Sequence, residues 1–338
     1  MHEKPTSFDI AFLAGVSQPT VSRALRGSPV VSLETRRRIE EIARQLNYRV
    51  DKNASNLRSQ HCNTLALLLF EDPTTDESQI NPFFLSMLGS ITRASARQGY
   101  DLLVSFQQLS NNWQQDYEDS RKADGIILLG YGDYEEYRPR LYRLVEQGTH
   151  FVRWGPVMEG QPGISVGCDN LQGSYDITRH LIEAGRSRIA FLGSATSHYP
   201  EFFDRFRGYE RALLEARLPA SSDLQVDGIN LELSGFQAVA ELQSRGKPFD
   251  AIVAASDLIA IGALRALQEA GIEVPRQVAV VGFDDIPAAC LTNPPLTTVM
   301  QDTGRAGELL VQTLLHQIAG EPAANSVIPT KLVVRRSG

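Results

Sequence analysis

The 338-residue chain lacks most of the signatures that mark catalysts and metalloproteins. No G-x-G-x-x-G follows an apolar strand pattern and no G-x-x-x-x-G-K-[ST] occurs, so neither a dinucleotide fold nor a phosphate loop has support. The 6 histidines and 3 cysteines show no metal-ligand spacing, and no metal or cofactor is expected. Cys62, Cys168 and Cys290 are an odd set without a pairing pattern, which reads as buried or inert thiols in a reducing compartment. The start, MHEKPTS, holds no apolar signal segment, and no run reaches membrane-spanning length. A cytoplasmic protein without a membrane partner is expected. Gly163 to Gly167 satisfies G-x-S-x-G, but a nucleophile elbow needs its serine on a sharp strand-to-helix turn. Ser165 falls inside a strand pattern, and no nucleophile has a recognisable base and orienter, so the chain is not expected to be an enzyme.

The segment from Thr6 to Leu57 carries the most information. Thr6 is placed to cap a first helix whose buried side holds Ile10, Ala11, Leu13 and Ala14. Gly15 breaks that helix, Val16 plugs the turn, and Ser17 can cap a second helix over Gln18 to Leu25. Pro19 sits in the first turn, where its missing N–H costs nothing. Two helices joined by so short a turn make a helix-turn-helix, whose second helix suits the DNA major groove. Charge agrees: residues 1–60 hold 10 Lys+Arg against 6 Asp+Glu, a balance of +4, which leaves 23 against 34, or −11, for the rest. A basic head on an acidic body touches phosphate with one end only.

The stretch DIAFLAGVSQPTVSRALRGSPVVS resembles the N-terminal signature of the lactose-repressor (LacI/GalR) family, D-I/V-A-x-x-A-G-V-S-x-x-T-V-S-R-x-L-N-G. On the exposed start of the second helix, Gln18, Pro19 and Arg23 face base edges. Gln suits adenine, Arg suits guanine, and Pro adds only shape and apolar contact; the family reads operator bases from these positions. Ser17, Thr20 and Ser22 are better placed for phosphates or capping. Arg26 stands where the family usually has Asn and is read as an added phosphate contact. Arg36, Arg37 and Arg38 open a third helix capped by Ser32, as surface charge or backbone contacts. The polar segment 51–61 is too short to fold alone and resembles the family's hinge helix, which orders on operator. Leu57 matches the leucine that this helix drives into the minor groove as a wedge; packing on the body is its other reading. Val50, Ser55 and Asn56 depart from the family's hinge pattern.

Beyond residue 61, a helical run, a glycine and a short apolar strand recur. Gly99, Gly148, Gly185, Gly246 and Gly271 are placed as left-handed helix terminators. Strands at Leu65–Phe70, Ile126–Gly130, Ile189–Gly193, Ala251–Ala255 and Val278–Gly282 are continuously apolar, as parallel strands covered on both faces must be. The expected fold is a small all-α head on an α/β body of two doubly wound parallel-sheet lobes, with a ligand cleft between them. This body resembles the family's effector domain and the periplasmic sugar-binding proteins, in NPFF (81–84), DRFRGY (204–209), AASDLIAIGALRAL (254–267), VAVVGFDDIP (278–287) and NPPLTTV (293–299). The resemblance implies three crossings between lobes, near Gly167–Asp169, Pro294–Thr298 and Ala323–Val327. The domains are then 1–50, 51–61 and 62–338, the last divided into 62–167 with 298–324 and 168–297 with 325–338.

Cleft candidates follow from chemistry and from those positions. Asp284, after a strand, can accept from two sugar hydroxyls, and Arg205 can donate a planar fork. Phe83 and Phe84 can stack on a sugar or purine face. Ser256 occupies a position often filled by Asn. Arg153 and Trp154 end a strand; Arg153 reads either as a donor to an anionic or longer ligand or as half of a cleft-edge ion pair. Of Phe202, Phe203 and Phe206, at least one belongs to the core. Asp285 reads as a cap or hinge partner.

One helix-turn-helix reads few base pairs, so two copies on a near-palindromic double-stranded operator are needed. Helix 304–318 has two readings, as part of that subunit contact or as a cover for the sheet, and no leucine heptad follows the last strand. A homodimeric, sugar-responsive transcription regulator, a repressor of carbohydrate use, is therefore expected. The alternatives are a regulator of the same fold that senses a purine or another metabolite, a solute-binding module without DNA function, or a hydrolase.

Overall fold

A computed structural model describes residues 5–25, 27–48, 61–70, 80–130 and 132–338. Arg26, Val50 and residues 51–60 of the proposed hinge, with Ser55, Asn56 and Leu57, lie outside the described residues. The chain divides into two compact units, Met1–Cys62 and Asn63–Gly338.

The first unit holds helices α1 (Ser7–Ala14), α2 (Gln18–Leu25) and α3 (Leu33–Gln45). Thr6 and Asp9 close a reciprocal capping box on α1, and Gly15 ends it at φ 61, the left-handed conformation that glycine adopts without a steric penalty. Ile10, Ala11, Ala14, Val21, Ala24, Val31, Ile39 and Ala43 form the core. Leu13 was expected among them but is 55% exposed. At 3.6 residues per turn the arc through Ile10, Ala11 and Ala14 is centred about 100° from Leu13, so Leu13 falls off its edge. Arg36 is more than surface charge: its Nη2 donates to the carbonyls of Gly27 at 3.0 Å and Ser28 at 2.7 Å, tying α3 to the loop after α2.

The second unit contains two six-stranded sheets. In the first, β1 (Thr64–Leu69), β2 (Asp101–Phe106), β3 (Ile126–Leu129), β4 (Phe151–Trp154), β5 (Ile164–Cys168) and β11 (Ser326–Ile328) lie in the order β11-β5-β4-β3-β1-β2, all parallel. The second holds β6 (Ile189–Leu192), β7 (Gln225–Val226), β8 (Ala251–Ala254), β9 (Ala279–Asp284), β10 (Thr297–Met300) and β12 (Lys331–Val333). Their order is β12-β10-β9-β8-β6-β7, and only β12 runs antiparallel to its neighbour. Helices α4 (Pro82–Arg97), α5 (Tyr134–Glu146) and α10 (Thr303–Ile318) belong to the first lobe; α6 (Asn170–Glu183), α7 (Pro200–Glu215), α8 (Glu232–Ser244) and α9 (Asp257–Glu269) belong to the second. Gly99, Gly148, Gly185, Gly246 and Gly271 all take φ between 64 and 87, which is how the helix-to-strand turns close.

The chain passes between lobes after Cys168, after Met300 and after Ile328. The last two points fall a few residues later than the sequence places them. Thr297–Met300 still pairs with Val281–Asp284, and Ser326–Ile328 with Val166–Cys168, so ladder hydrogen bonds hold each segment in the lobe it is leaving. Helices α8 and α9 meet through two glycines: a Cβ on Gly235 would fall 1.9 Å from the Ile259 carbonyl oxygen, and one on Gly262 1.9 Å from that of Glu232. Gly262→Ala should therefore force the helices apart and destabilise the protein by about 1–3 kcal/mol, the usual range for overpacking, as a lowered midpoint in urea unfolding. An unchanged midpoint would mean the backbone contact is slack.

Candidate functional site

On the head, Pro19 and Arg23 are exposed and Gln18 is half-buried. Gln18 Nε2 donates to Ser7 Oγ at 3.2 Å, so bidentate reading of adenine requires that bond to be released. The hydroxyls of Ser17 and Thr20 are 2.9 Å apart and bonded to each other.

In the body, a buried charged network lies at the carboxyl ends of the second-lobe strands. Asp284, the last residue of β9, takes φ 118. Its Oδ1 accepts from Gln301 Nε2 at 2.6 Å and lies 3.4 Å from Arg205 Nη1. Arg205, projecting from α7 and 1% exposed, also donates through Nε to Asn170 Oδ1 at 2.8 Å and through Nη1 to the Ala255 carbonyl. Its guanidinium lies 3.8 Å from the Phe283 ring centre and 5.4 Å from that of Phe202. Asn170 follows the first crossing and Gln301 sits in the second, so the pair is wired to two of the three connections between lobes. Burial pushes the Asp284 carboxyl up to about 6, against the pull of Arg205 and Gln301. Burial and the neighbouring Asp284 also raise the Asp257 carboxyl, although Thr298 and the Ile286 amide both donate to it. Ser256 caps α9 by accepting from the Ile259 amide at 3.3 Å and is fully buried.

The aromatic candidates form a separate group in the first lobe. Asn81 caps α4, and in its first turn the Phe83 ring lies 5.3 Å from Phe84 and 6.1 Å from Trp154. Arg153 does not share that wall. Side chains alternate along a strand; Val152 and Trp154 join one core and Phe151 the other, which places Arg153 on the opposite face of β4 from Trp154. There it is 2% exposed, with Nη2 donating to Gln161 Oε1 at 2.9 Å and the Pro156 carbonyl at 3.2 Å. Its guanidinium lies 5.2 Å over Tyr134. Of the three phenylalanines near Arg205, Phe206 packs on Phe191 and Tyr209 in the core. Asp285 binds Arg335 at 2.6 Å, a partner in the C-terminal segment. Ser165 lies inside β5 and is fully buried, not on a strand-to-helix turn.

Sequence reasoning missed Glu201. It is 4% exposed in the first turn of α7, in the second lobe, yet feels the field of Arg153 from the first lobe as well as that of Arg205. The signal was present: Glu201 and Arg205 are four residues apart and share a helix face. It also missed a joint between lobes, where His198 Nδ1 lies 2.8 Å from Asp133 Oδ2 and the Tyr134 amide donates to the His198 carbonyl at 2.8 Å.

Burial drives the Glu201 carboxyl up to about 7, and the two arginines only partly offset this. Its folded value lies above the unfolded one, so the native state holds the proton more tightly. The native state therefore loses stability as pH rises from about 4.5 to 7, by roughly 3 kcal/mol for a shift of this size. Glu201→Gln should remove that part of the pH dependence in urea melts between pH 4.5 and 8. A variant with the wild-type slope would show that Glu201 does not titrate in this window.

Comparison with known proteins agrees with this geometry. Residues 8–51 match the family described as bacterial regulatory proteins, lacI family, and residues 178–338 match the periplasmic binding protein-like domain. The HTH-type transcriptional regulator CelR of Thermobifida fusca is 32% identical over 341 residues, covering 99% of this chain and 98% of its own. A structure of a transcriptional regulator CelR–cellobiose complex aligns at 31% identity with TM-score 0.74, covering 99% of this chain and 100% of that one. A lac repressor dimer bound to operator and the anti-inducer ONPF shares the fold at TM-score 0.83 and 24% identity, with 99% of both chains covered.

Proposed function

The chain belongs to the LacI family of bacterial regulatory proteins and is a DNA-binding transcription regulator; we propose that it represses a carbohydrate-use operon and that a sugar switches its hold on the operator. The observation that carries the sugar reading is the buried Arg205–Asp284 pair at the strand ends. A guanidinium fork beside a carboxylate offers donors and acceptors to vicinal hydroxyls, and its partners Asn170 and Gln301 sit on the connections that a change in lobe angle must bend. Phe83, Phe84 and Trp154 supply the apolar wall. The solved CelR relative carries cellobiose, which supports a saccharide here.

On DNA, Gln18, Pro19 and Arg23 read bases, Ser17, Thr20, Ser22 and Arg26 hold the backbone, and Leu57 is the minor-groove wedge. The protein acts as a homodimer on a near-palindromic operator, a reading supported by the dimeric lac repressor on its operator. We read it as a cytoplasmic regulator and not an enzyme; no helix among the described residues is long and apolar enough to cross a membrane.

A thermal-shift screen against saccharides, sugar phosphates and nucleobases tests the effector class. A ligand at 100 times its dissociation constant adds about 2.7 kcal/mol of stability. A saccharide hit that also releases operator supports the proposal, whereas a response to nucleobases alone replaces it with a purine sensor. Asp284→Ala should abolish the response to that saccharide while operator binding persists; a normal response would remove Asp284 from the site. Arg23→Ala should weaken operator binding by about 1–3 kcal/mol and relax preference at one base pair per half-site, read by competition against substituted operators. A uniform loss across sequences would make Arg23 a phosphate contact.

A further inference from the structure

We propose that residues 197–201 form a proton-operated latch between the lobes: this second-lobe segment grips the first lobe through His198 and Glu201, and acid favours the joined arrangement. The latch goes beyond the regulator reading, and its test needs neither effector nor operator.

The segment meets the first lobe at two points. His198 Nδ1 lies 2.8 Å from Asp133 Oδ2, and the Tyr134 amide donates to the His198 carbonyl at 2.8 Å. Three residues on, Glu201 reaches the end of β4. A Cβ on Gly155 would fall 3.2 Å from both Glu201 Oε1 and Arg153 Nη1, so glycine there leaves room for carboxyl and guanidinium to approach each other across the lobes. Arg153 is held in turn by Gln161, whose Nε2 donates to Asn325 Oδ1 at 3.0 Å. Asn325 directly precedes β11, the strand that runs into the third crossing. The latch is thus tied to the third connection, as Asn170 and Gln301 tie the Arg205–Asp284 pair to the first two.

Both grips depend on a proton. The His198–Asp133 contact is an ion pair only when the imidazole is protonated, and histidine is the side chain whose charge changes most readily near neutrality. In the groove beside it, Glu135 pairs with Arg138 and Asp204 with Arg207, which leaves Glu159 as the further carboxylate of that lining. Glu201 is buried among Arg153 from β4, Tyr137 from α5 and Cys168 at the end of β5, with Asp204 and Arg205 on its own helix. Burial, only partly opposed by the arginines, holds its carboxyl at about 7. Parting the lobes takes Gly155 and β4 off that carboxyl and admits water, which returns it toward its ordinary 4.5. The joined arrangement therefore holds the proton more tightly. Its advantage is complete in acid and is lost as pH rises through about 7. The two groups act in the same direction.

Hydrogen exchange on the full chain reads the latch directly, because the Tyr134 amide is bonded across the lobes. Protection factors, corrected for the intrinsic pH dependence of exchange, would be compared at about pH 5.5 and 8. The reference is β8, which lies inside its sheet. Protection at Tyr134 should stay below that of β8 and should fall by about tenfold or more between the two pH values. Glu201→Gln cannot ionise and should remove most of that fall. If this variant also loses protection in β8, His198→Gln decides: it should lower protection at Tyr134 more in acid than in base. An equal effect of His198→Gln at both pH values overturns the latch, as does a full wild-type fall in Glu201→Gln. A pH-independent value at Tyr134 in the wild type overturns it too. So does protection equal to that of β8 throughout, since the contact would then break only on unfolding.

Discussion

The second unit is organised around a guanidinium held away from water. Arg205 is buried, and an isolated buried cation costs many kcal/mol unless it is paired and hydrogen-bonded. Its compensation comes from four directions: the Asp284 carboxylate, the Asn170 amide, the Ala255 carbonyl and the face of Phe283. Each partner lies at the end of a strand or the start of a helix, so the cation can be satisfied only when β8, β9 and the first crossing are all in register. That requirement explains the left-handed φ of Asp284, which a non-glycine residue adopts at a cost of order 1–3 kcal/mol.

The same burial sets the charge that a ligand meets. Arg153 and Arg205 face Glu201 and Asp284, with Asp257 beneath, and burial raises all three carboxyls. Two buried guanidinium groups therefore sit among three carboxyls that burial biases toward the protonated form. Arg153, which the sequence leaves open between ligand donor and ion-pair partner, donates through Nη2 to Gln161 and Pro156 and through Nη1 to the Tyr137 hydroxyl, stacks on Tyr134, and keeps its buried Nε without a partner.

What was legible in the sequence is what is encoded locally. The cap at Thr6, the glycine after α1 and the apolar strand runs each need only a handful of neighbouring residues, and helices α1 and α2 of the head end where those signals place them. Leu13 shows the limit even there, because pattern alone does not say where a three-residue arc is centred. The later crossing points depend on ladder pairing beyond the local run: Thr297–Met300 pairs with Val281–Asp284, and Ser326–Ile328 with Val166–Cys168, 160 residues earlier. Arg153 and Trp154 are adjacent in sequence and so face opposite sides of a sheet. Glu201 draws its importance from an arginine in the other lobe.

Coupling from cleft to DNA requires that the ligand prefer one lobe arrangement, since a ligand with equal affinity for both shifts nothing. The network supplies such a preference without a dedicated lever. Gln301 bonds Asp284 and Asn170 bonds Arg205, and both are residents of the crossings, so a hydroxyl that competes for Asp284 Oδ1 alters the forces on two of the three connections. Family coupling needs only about 1–3 kcal/mol to be useful, which is the scale of one or two charge-assisted hydrogen bonds redistributed at a hinge. A site built on buried charges at the crossings can therefore switch by exchanging partners, with no large rearrangement of either core.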